Sequence, residues 1–262
     1  MDFTKQQLRH CGDRKIYFVV PAYNEEASIG DLIDKIIKTC RESSLLFEII
    51  IVDDGSHDKT GEISKSKGQT WPVQVIRNEP NKGLGFTIRR GLKTASSKAS
   101  LNDILITLDA DLTQDPSYVP SMLAVINKGA DVVIASRYRK GSHVEGLSLT
   151  RLIMSYGASA FVALLRPIRG IRDYSCGFRA YRSSVIHWAF ETFGDGFISE
   201  KGFGCMVEIA QKLRGHASFS EVPFVLRYDA KRKESALKIL PTIWAYIRVL
   251  KRVQFDVNSN KK

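Results

Sequence analysis

The stretch "ILITLDADLTQDP", residues 104–116, runs from an apolar segment directly into two closely spaced carboxylates. Strand side chains alternate between two faces, so Asp109 and Asp111 share a face if the chain stays extended past Leu108. Carboxylates a few ångströms apart repel each other by roughly several kcal/mol at intermediate dielectric, and such a pair usually shares a proton or a cation. A divalent metal is the simplest partner. The alternative is a solvated turn that caps a helix starting at Asp115–Pro116.

The segments around this stretch alternate between strand and helix signals. Short runs of β-branched and aromatic residues predict strands: "KIYFVVPAY" (15–23), "FEIIIVDDGS" (47–56), "VQVIRNEPN" (73–81), "DILITLDAD" (103–111), "ADVVIASRY" (130–138) and a last short one, "SEVPFVLRY" (220–228). Between the first four of these runs lie segments whose apolar residues have helical spacing. This alternation predicts an α/β fold, with a mostly parallel central sheet and helices on both faces.

Polar side chains follow each of the first five predicted strands. They are Tyr23, Asn24, Glu25, Asp53, Asp54, Asn78, Asp109, Asp111 and Arg137. In open α/β sheets, ligands bind beyond the carboxyl ends of the strands. The sequence therefore predicts that one cleft collects these groups.

Charge is distributed unevenly along the 262 residues, whose net charge is +11. The segment 137–182 contains nine basic residues and only two acidic ones. Such a segment indicates an anionic partner, which could be nucleic acid, an acidic membrane surface or a phosphorylated substrate. A nucleic-acid-binding protein does not explain the acidic strand ends, so we expect no nucleic-acid partner.

The cysteines and apolar segments indicate the compartment. Cys11, Cys40, Cys176 and Cys205 lack the spacing of a disulfide framework or a zinc site, which favours a reducing cytoplasm. No N-terminal segment has the order of a signal peptide. The longest uncharged stretch, 152–165, has 14 residues, whereas a spanning helix needs roughly 20. We expect a cytoplasmic protein without a spanning helix.

Six motifs occur in the order seen in inverting glycosyltransferases of family 2. They are "VVPAYNEEASI", "IIIVDDGSHDKT", "NKGLG", "LDADLTQDP", "ASRY" and "RDYSCGFRAY". Over residues 15–250 the chain resembles the dolichol-phosphate (polyprenyl-phosphate) mannose or glucose synthases. The resemblance implies a GT-A-type nucleotide-diphospho-sugar transferase fold. Because no QxxRW element is present, a processive polysaccharide synthase is not expected.

The pattern of segments, together with the resemblance, indicates how the chain is divided. We expect a flexible tail (1–14), a catalytic domain (15–230) with a donor-binding half (15–140) and an acceptor half (141–230), a basic loop with a C-terminal amphipathic helix (231–253), and a second flexible tail (254–262).

The donor site follows from matching motif positions. By resemblance, Asp109 and Asp111 bind Mg²⁺ or Mn²⁺, and Asp109 also belongs to the nucleotide-sugar site. The base and ribose pocket is lined by Pro21, Tyr23, Glu25 and Asp53, and Arg137 contacts the diphosphate. Many relatives have Gln where this chain has Thr113, with Gln114 next, so the third metal ligand stays open.

The catalytic residues implied by the resemblance extend into the acceptor half. They are Asp111, Arg151 against the acceptor phosphate, Asp173 and Arg179 in an acceptor loop with Ser175, and Arg232 and Lys238 in a loop that closes over the donor. Ser235 and Leu237 replace the usual glycine and serine of that loop. Its alignment therefore stays open, and Lys231 and Lys233 are close substitutes for Arg232.

The resemblance implies transfer of one sugar, mannose or glucose, from GDP-mannose or UDP-glucose to a polyprenyl or dolichyl phosphate at the cytosolic membrane surface. A phosphate acceptor is already an anionic nucleophile, so no dedicated base is required. Residues 152–165 and the C-terminal helix, or a membrane-spanning partner subunit, would provide attachment. The alternative is a soluble glycan or protein hydroxyl acceptor, which needs a general base, with Asp173 and Glu208 as candidates.

Overall fold

The computed structural model describes residues 14–232 and 244–253. Its strands are β1 (Lys15–Ala22), β2 (Leu46–Asp53), β3 (Val73–Arg77), β4 (Ile104–Thr107), β5 (Val132–Ser136), β6 (His143–Glu145), β7 (Arg179–Arg182), β8 (Phe219–Pro223) and β9 (Val225–Arg227). Its helices are α1 (Ile29–Glu42), α2 (Thr60–Lys67), α3 (Leu84–Lys98), α4 (Val119–Asn127), α5 (Leu149–Leu165), α6 (Ser183–Phe193), α7 (Cys205–Leu213) and α8 (244–253).

The central sheet has the strand order β3-β2-β1-β4-β7-β5-β8. All neighbouring strands are parallel except for the two pairs that include β7. The predicted mostly parallel sheet is therefore confirmed. Right-handed crossovers place α1 and α2 on one face of the sheet and α3, which returns the chain to β4, on the other. A separate parallel pair is formed by β6 and β9.

Helix α1 illustrates how the sequence builds the core. Its apolar residues recur at three- and four-residue intervals, which places them on one helical face. The buried residues are Ile29, Leu32, Ile33, Ile36, Ile37 and Cys40. Each large aliphatic side chain buried in this way contributes about 1.5–3 kcal/mol. This face therefore fixes α1 on the sheet and sets the position of the loop that precedes it.

Strand β7 is the element of the central sheet that the sequence analysis missed, and the short β6 outside that sheet was also missed. It lies antiparallel between β4 and β5, with Arg179 opposite Thr107 on one side and Ile134 on the other. Its four residues, RAYR, are too few and too polar to show a strand period. Because β7 runs against its neighbours, the loop that precedes it reaches the carboxyl edge of the sheet.

The last predicted strand is divided between two sheets. β8 pairs with β5, whereas β9 pairs with β6. Pro223 has no backbone N–H to continue the ladder, so β8 ends there and Phe224 separates the two strands.

The turn after β4 differs from the extended geometry that the sequence suggested. β4 ends at Thr107, and Leu112 adopts a left-handed φ of 66°. The helix-capping role belongs to Asp115, whose carboxylate accepts a hydrogen bond from the Ser117 N–H at 2.9 Å. The extended placement of Asp109 and Asp111 is therefore wrong, although the turn still leaves both carboxylates at the carboxyl edge of the sheet.

Two helices present distinct surfaces. α5 exposes the apolar side chains of Ile153, Met154, Tyr156, Leu164 and Leu165. α8 instead buries Tyr246, Val249, Leu250 and Val253 against the core and exposes Trp244. None of the helices among the described residues combines the length and apolarity that crossing a membrane requires.

Several predictions from the sequence fall outside the described residues. These are the tail at 1–13, the residues 233–243 that include Lys238, and the tail at 254–262. The boundary between a donor half and an acceptor half stays a prediction. The three cysteines in the described ranges, Cys40, Cys176 and Cys205, are free and buried.

The contact between α3 and the sheet depends on Gly91. A Cβ at this position would lie 2.3 Å from Cγ1 of Val19 and 3.0 Å from Cγ2 of Val52. Alanine is favoured over glycine in helices by about 1 kcal/mol, but overpacking a core costs about 1–3 kcal/mol. Because the Cβ would lie so close to Val19, we expect the overpacking cost to prevail, and Gly91→Ala to lower the free energy of unfolding by up to about 2 kcal/mol in a denaturant titration.

The matched control is Gly157→Ala in α5. No heavy atom lies within 4 Å of the Cβ added there, so helix propensity acts alone and should raise stability by up to about 1 kcal/mol. Similar changes in both variants would contradict the close packing of α3 on β1.

Candidate functional site

Strands β1 and β4 lie side by side at the centre of the sheet, and the chain leaves them in opposite directions. Open α/β sheets form their ligand crevice beyond the carboxyl ends of the strands at such a switch point, and this region is called the crevice below. Residues 23–25 follow β1, and residues 108–114 follow β4. The antiparallel β7 adds residues 173–178 to the same edge.

Asp109 and Asp111 are held by their own turn. Gln114 Nε2 donates to Asp109 Oδ2 at 2.6 Å, and the Asp109 N–H donates to Gln114 Oε1 at 2.9 Å. The Thr113 hydroxyl donates to Asp111 Oδ1 at 2.7 Å. Both candidates for a third metal ligand, Thr113 and Gln114, are thus engaged with the aspartates themselves.

The surroundings of Asp109 disfavour its ionised form. Burial and the Asp111 carboxylate raise the pKa of Asp109 to about 7, and Glu25 adds to this rise. Lys231 and Arg137 oppose it without cancelling it. Within 14–232 and 244–253, no three His, Cys, Asp or Glu side chains gather into a metal-binding group. Any cation here would rely on two protein carboxylates.

Lys231, which the sequence reading named only as a substitute for Arg232, lies against this pair. Its Nζ donates to Asp111 Oδ2 at 2.5 Å, and the side chains of Lys231 and Asp111 are only 15% and 13% exposed. Burial lowers the pKa of Lys231, but the attraction of Asp111 outweighs burial and leaves that pKa above its ordinary value. The signal in the sequence was the basic cluster at 231–233.

The two acids after β2 have separate roles. Asp53 accepts from the Ser56 N–H and from Arg77 Nη1, both at 2.8 Å. Asp54 accepts from the backbone N–H groups of Lys82 and Gly83 at 3.0 and 2.8 Å, and so fixes the "NKGLG" loop. Asp53 is wholly buried at the end of β2, and its contact with the base or ribose stays a prediction, whereas Asp54 shapes a neighbouring loop.

The predicted base and ribose residues surround the carboxyl end of β1. Pro21 lies in β1 and is partly buried. The Tyr23 ring lies edge-on to His57, with 6.5 Å between the ring centroids. Glu25 donates its N–H to Thr60 Oγ1 at 2.7 Å and accepts from the Ser28 hydroxyl at 2.9 Å. The structure brings these side chains to the same edge as Asp53.

Arg137 and Asp173 form a buried ion pair. Arg137 Nε and Nη2 donate to the two carboxylate oxygens of Asp173 at 2.7 and 2.6 Å, and Nη2 also donates to Ser175 Oγ at 2.6 Å. Burial opposes ionisation of Asp173, but Arg137 outweighs it and lowers the Asp173 pKa. Arg137 was predicted to contact a diphosphate, and here its guanidinium is largely engaged by the acceptor loop.

Two residues that the sequence did not select support this pair. Glu221 in β8 accepts from the N–H groups of Arg172 and Asp173, both at 2.7 Å. Tyr246 in α8 is buried, which raises its pKa to about 12, and its hydroxyl interacts with Ser175. Neither position carries a motif, so only the fold reveals them.

Arg179 and Glu208 occupy structural positions. Arg179 is wholly buried and donates to the carbonyl oxygens of Tyr174, Cys176 and Met206 at 2.7, 2.8 and 2.9 Å. This arrangement braces the acceptor loop and does not support the predicted catalytic contact. Glu208 is also buried, and its pKa is lowered because Lys212 and the Ser199 hydroxyl outweigh the effect of burial.

The remaining predicted catalytic residues are described only in part. Arg232 Nη2 donates to Asp31 Oδ2 at 2.6 Å, and Nη1 donates to the Ala27 carbonyl. The backbone of Arg151 lies in α5, and its side chain is outside the described part of the structure.

Comparison with known sequences supports one family. Residues 17–188 match the family model described as glycosyl transferase family 2. The chain is 34% identical over 240 residues to a dolichol-phosphate mannosyltransferase of Pyrococcus furiosus, and the alignment covers 91% of this chain and 63% of the relative. It is 31% identical over 174 residues to an undecaprenyl-phosphate 4-deoxy-4-formamido-L-arabinose transferase of Proteus mirabilis, and this alignment covers 66% of this chain and 50% of the relative. The chain thus spans 50–63% of the length of these two relatives.

Comparison with solved structures supports the fold. The glucosyl-3-phosphoglycerate synthase of Mycobacterium tuberculosis, in complex with Mn²⁺, UDP and glucosyl-3-phosphoglycerate, superimposes with a TM-score of 0.70 at 22% identity, covering 97% of this chain and 85% of that chain. The predicted GT-A-like α/β fold is confirmed. The acids at the strand ends of this chain fit the family whose model it matches. The chain belongs to glycosyl transferase family 2.

Proposed function

We propose that this protein transfers one sugar from a nucleotide-diphosphate sugar to a polyprenyl or dolichyl phosphate, with inversion and with the help of Mg²⁺ or Mn²⁺. The two curated relatives are named for dolichol phosphate and undecaprenyl phosphate. The structural neighbour was solved with Mn²⁺ and UDP. GDP-mannose and UDP-glucose are the donors to test first.

The observation that carries the proposal is the unbalanced negative charge of Asp109 and Asp111. A carboxyl group whose pKa rises to about 7 beside a second carboxylate indicates a site suited to a cation. The Lys231 ammonium already contacts Asp111, so a cation of higher charge fits the same oxygens. A bound divalent metal would stabilise the charge that develops on the leaving diphosphate.

The acceptor half favours a phosphate over a hydroxyl. A hydroxyl acceptor needs a base, and the two candidates, Asp173 and Glu208, are buried, hydrogen-bonded and shifted to lower pKa. Neither is suited to accept a proton near neutral pH. A phosphate needs only orientation, which the loop anchored by Arg137 and Asp173 can provide through a fixed backbone.

We further propose that the protein attaches to the cytosolic surface of a membrane through α5, directly or beside a membrane-spanning partner subunit. Ile153 and Leu164 are 60% and 82% exposed. The basic residues Arg169 and Arg172 follow the helix and are also exposed. An exposed apolar surface beside basic side chains suits an anionic headgroup boundary.

Sugar transfer tests the proposed function. Purified protein is incubated with radiolabelled GDP-mannose or UDP-glucose, a short polyprenyl phosphate and Mn²⁺, and label extracted into organic solvent is counted. We expect Asp111→Asn to reduce transfer by at least about a hundredfold, because a carboxylate contribution to charge stabilisation is lost. Asp115→Asn, which keeps a side chain able to cap the helix and removes a carboxylate outside the pair, should retain transfer within a few-fold. Undiminished transfer in Asp111→Asn or in EDTA would contradict the proposal.

Stability as a function of pH tests the charge at Asp109. Its folded-state pKa lies above the ordinary 3.8, so its contribution to stability is present below about pH 4 and is lost as the pH rises through about 7. The rise in the Asp109 pKa corresponds to at most about 4 kcal/mol of folding free energy. In EDTA, we expect Asp109→Asn to raise the melting temperature at pH 8 and to raise it less at pH 5. An equal change in melting temperature at both pH values would contradict the raised pKa of Asp109.

Liposome flotation tests the attachment. We expect Ile153→Ser/Leu164→Ser to reduce recovery with vesicles that contain anionic lipid, because apolar area available for insertion is lost. The matched control is Leu46→Ser/Leu101→Ser, since these residues are comparably exposed at 60% and 61% but lie away from α5. Equal losses in both double variants, or no binding by the unmodified protein, would count against α5 as the attachment surface.

A further inference from the structure

The position of Lys231 is fixed by contacts on the segment that precedes it. The Arg227 N–H donates to the Thr113 carbonyl at 3.0 Å, which ties the end of β9 to the turn that carries Asp111. Gly146 packs so closely on Asp229 that a Cβ there would lie 2.6 Å from the Asp229 nitrogen. The 3₁₀ turn at Tyr228–Ala230 then leads directly into Lys231.

A second contact fixes the segment on its other side. Arg232 bonds to Asp31 in the first turn of α1 and to the Ala27 carbonyl. The segment 228–232 therefore bridges two walls of the crevice, the turn after β4 and the start of α1. Between these contacts, the ammonium of Lys231 is directed at Asp111.

This ammonium occupies one of the two carboxylate oxygens through which Asp111 could bind a metal ion. Lys231 Nζ lies 2.5 Å from Asp111 Oδ2, whereas Mg²⁺ binds carboxylate oxygens at about 2.0–2.1 Å. The other oxygen, Oδ1, already accepts from the Thr113 hydroxyl. An ammonium and a divalent cation beside one partly buried carboxylate repel each other, so metal binding and the Lys231–Asp111 ion pair compete.

We propose that Lys231 is a resident counter-ion of Asp111, and that an incoming divalent cation displaces its ammonium and thereby loosens the segment 228–232 against the turn after β4. The inference rests on the metal site proposed above. Because binding linkage is reciprocal, loosening of the segment and occupancy by the metal favour each other to the same degree. Lys231 thus acts as a positioning residue that makes the hold of this segment on the turn depend on metal.

Mn²⁺ titration followed by electron paramagnetic resonance tests the competition without requiring catalysis. We expect Lys231→Met, which keeps the apolar stem and removes the ammonium, to bind Mn²⁺ at least about tenfold more tightly than the unmodified protein. Lys231→Arg retains the charge and should not gain affinity. Arg227→Gln removes a charge from the same segment whose partners are Glu145 and Asp229, and it should leave the affinity nearly unchanged.

Hydrogen exchange of residues 228–232, measured with and without Mn²⁺, supplies a structural readout. In the unmodified protein, Mn²⁺ should increase exchange in this segment. In Lys231→Met, exchange should be high from the start and change little. Protection of the segment by Mn²⁺, or equal Mn²⁺ affinity in Lys231→Met and the unmodified protein, would overturn the counter-ion role.

Asp111→Asn separates this inference from the metal site on which it rests. If Asp111→Asn loses Mn²⁺ binding while Lys231→Met gains none, the metal site stands and the counter-ion role fails. If Asp111→Asn binds Mn²⁺ as well as the unmodified protein, the proposed metal site itself fails. Absence of measurable binding in every variant, including Lys231→Met, also counts against the inference.

Discussion

The buried pair of Arg137 and Asp173 is the contact on which the arrangement of the crevice depends. Arg137 follows β5 and Asp173 precedes β7, so one pair of hydrogen bonds ties together two strands that run in opposite directions. Loss of one partner from a buried ion pair costs about 3–5 kcal/mol, because the other charge is left without compensation. Glu221 adds a contact from β8. The loop 173–178 therefore has one stable position at the edge of the sheet.

The acids of this protein divide into two kinds by how their charge is satisfied. Asp53 and Asp54 accept several hydrogen bonds and stabilise loops. Asp109 and Asp111 also accept hydrogen bonds from their own turn, but burial and the neighbouring Asp111 carboxylate still raise the pKa of Asp109. A buried carboxyl group whose pKa is raised beside a second carboxylate indicates a site for a ligand.

The sequence predicted the elements whose patterns are local. The buried strand β1 follows from its continuous apolar run, the buried face of α1 follows from a period of 3.6 residues, and the strand-end acids follow from parallel order. It did not predict β7 or the roles of Glu221 and Lys231, because these depend on strand insertion and on contacts between distant segments. For Arg179 the sequence predicted too much. Its motif position suggested a catalytic contact, whereas its guanidinium donates to three backbone carbonyl oxygens and stabilises the acceptor loop.

The loop at 81–85 has a consequence for how anions can be recognised here. Glycine-rich loops often cradle phosphate with their backbone N–H groups. In this protein the N–H groups of Lys82 and Gly83 are directed at Asp54, an anion that belongs to the chain itself. Those main-chain donors are therefore consumed inside the protein. With the proposed donor, this loop does not bind the diphosphate, and side chains and a cation bind it instead. Donor binding then depends on the concentration of that cation, whereas binding by a backbone cradle would not.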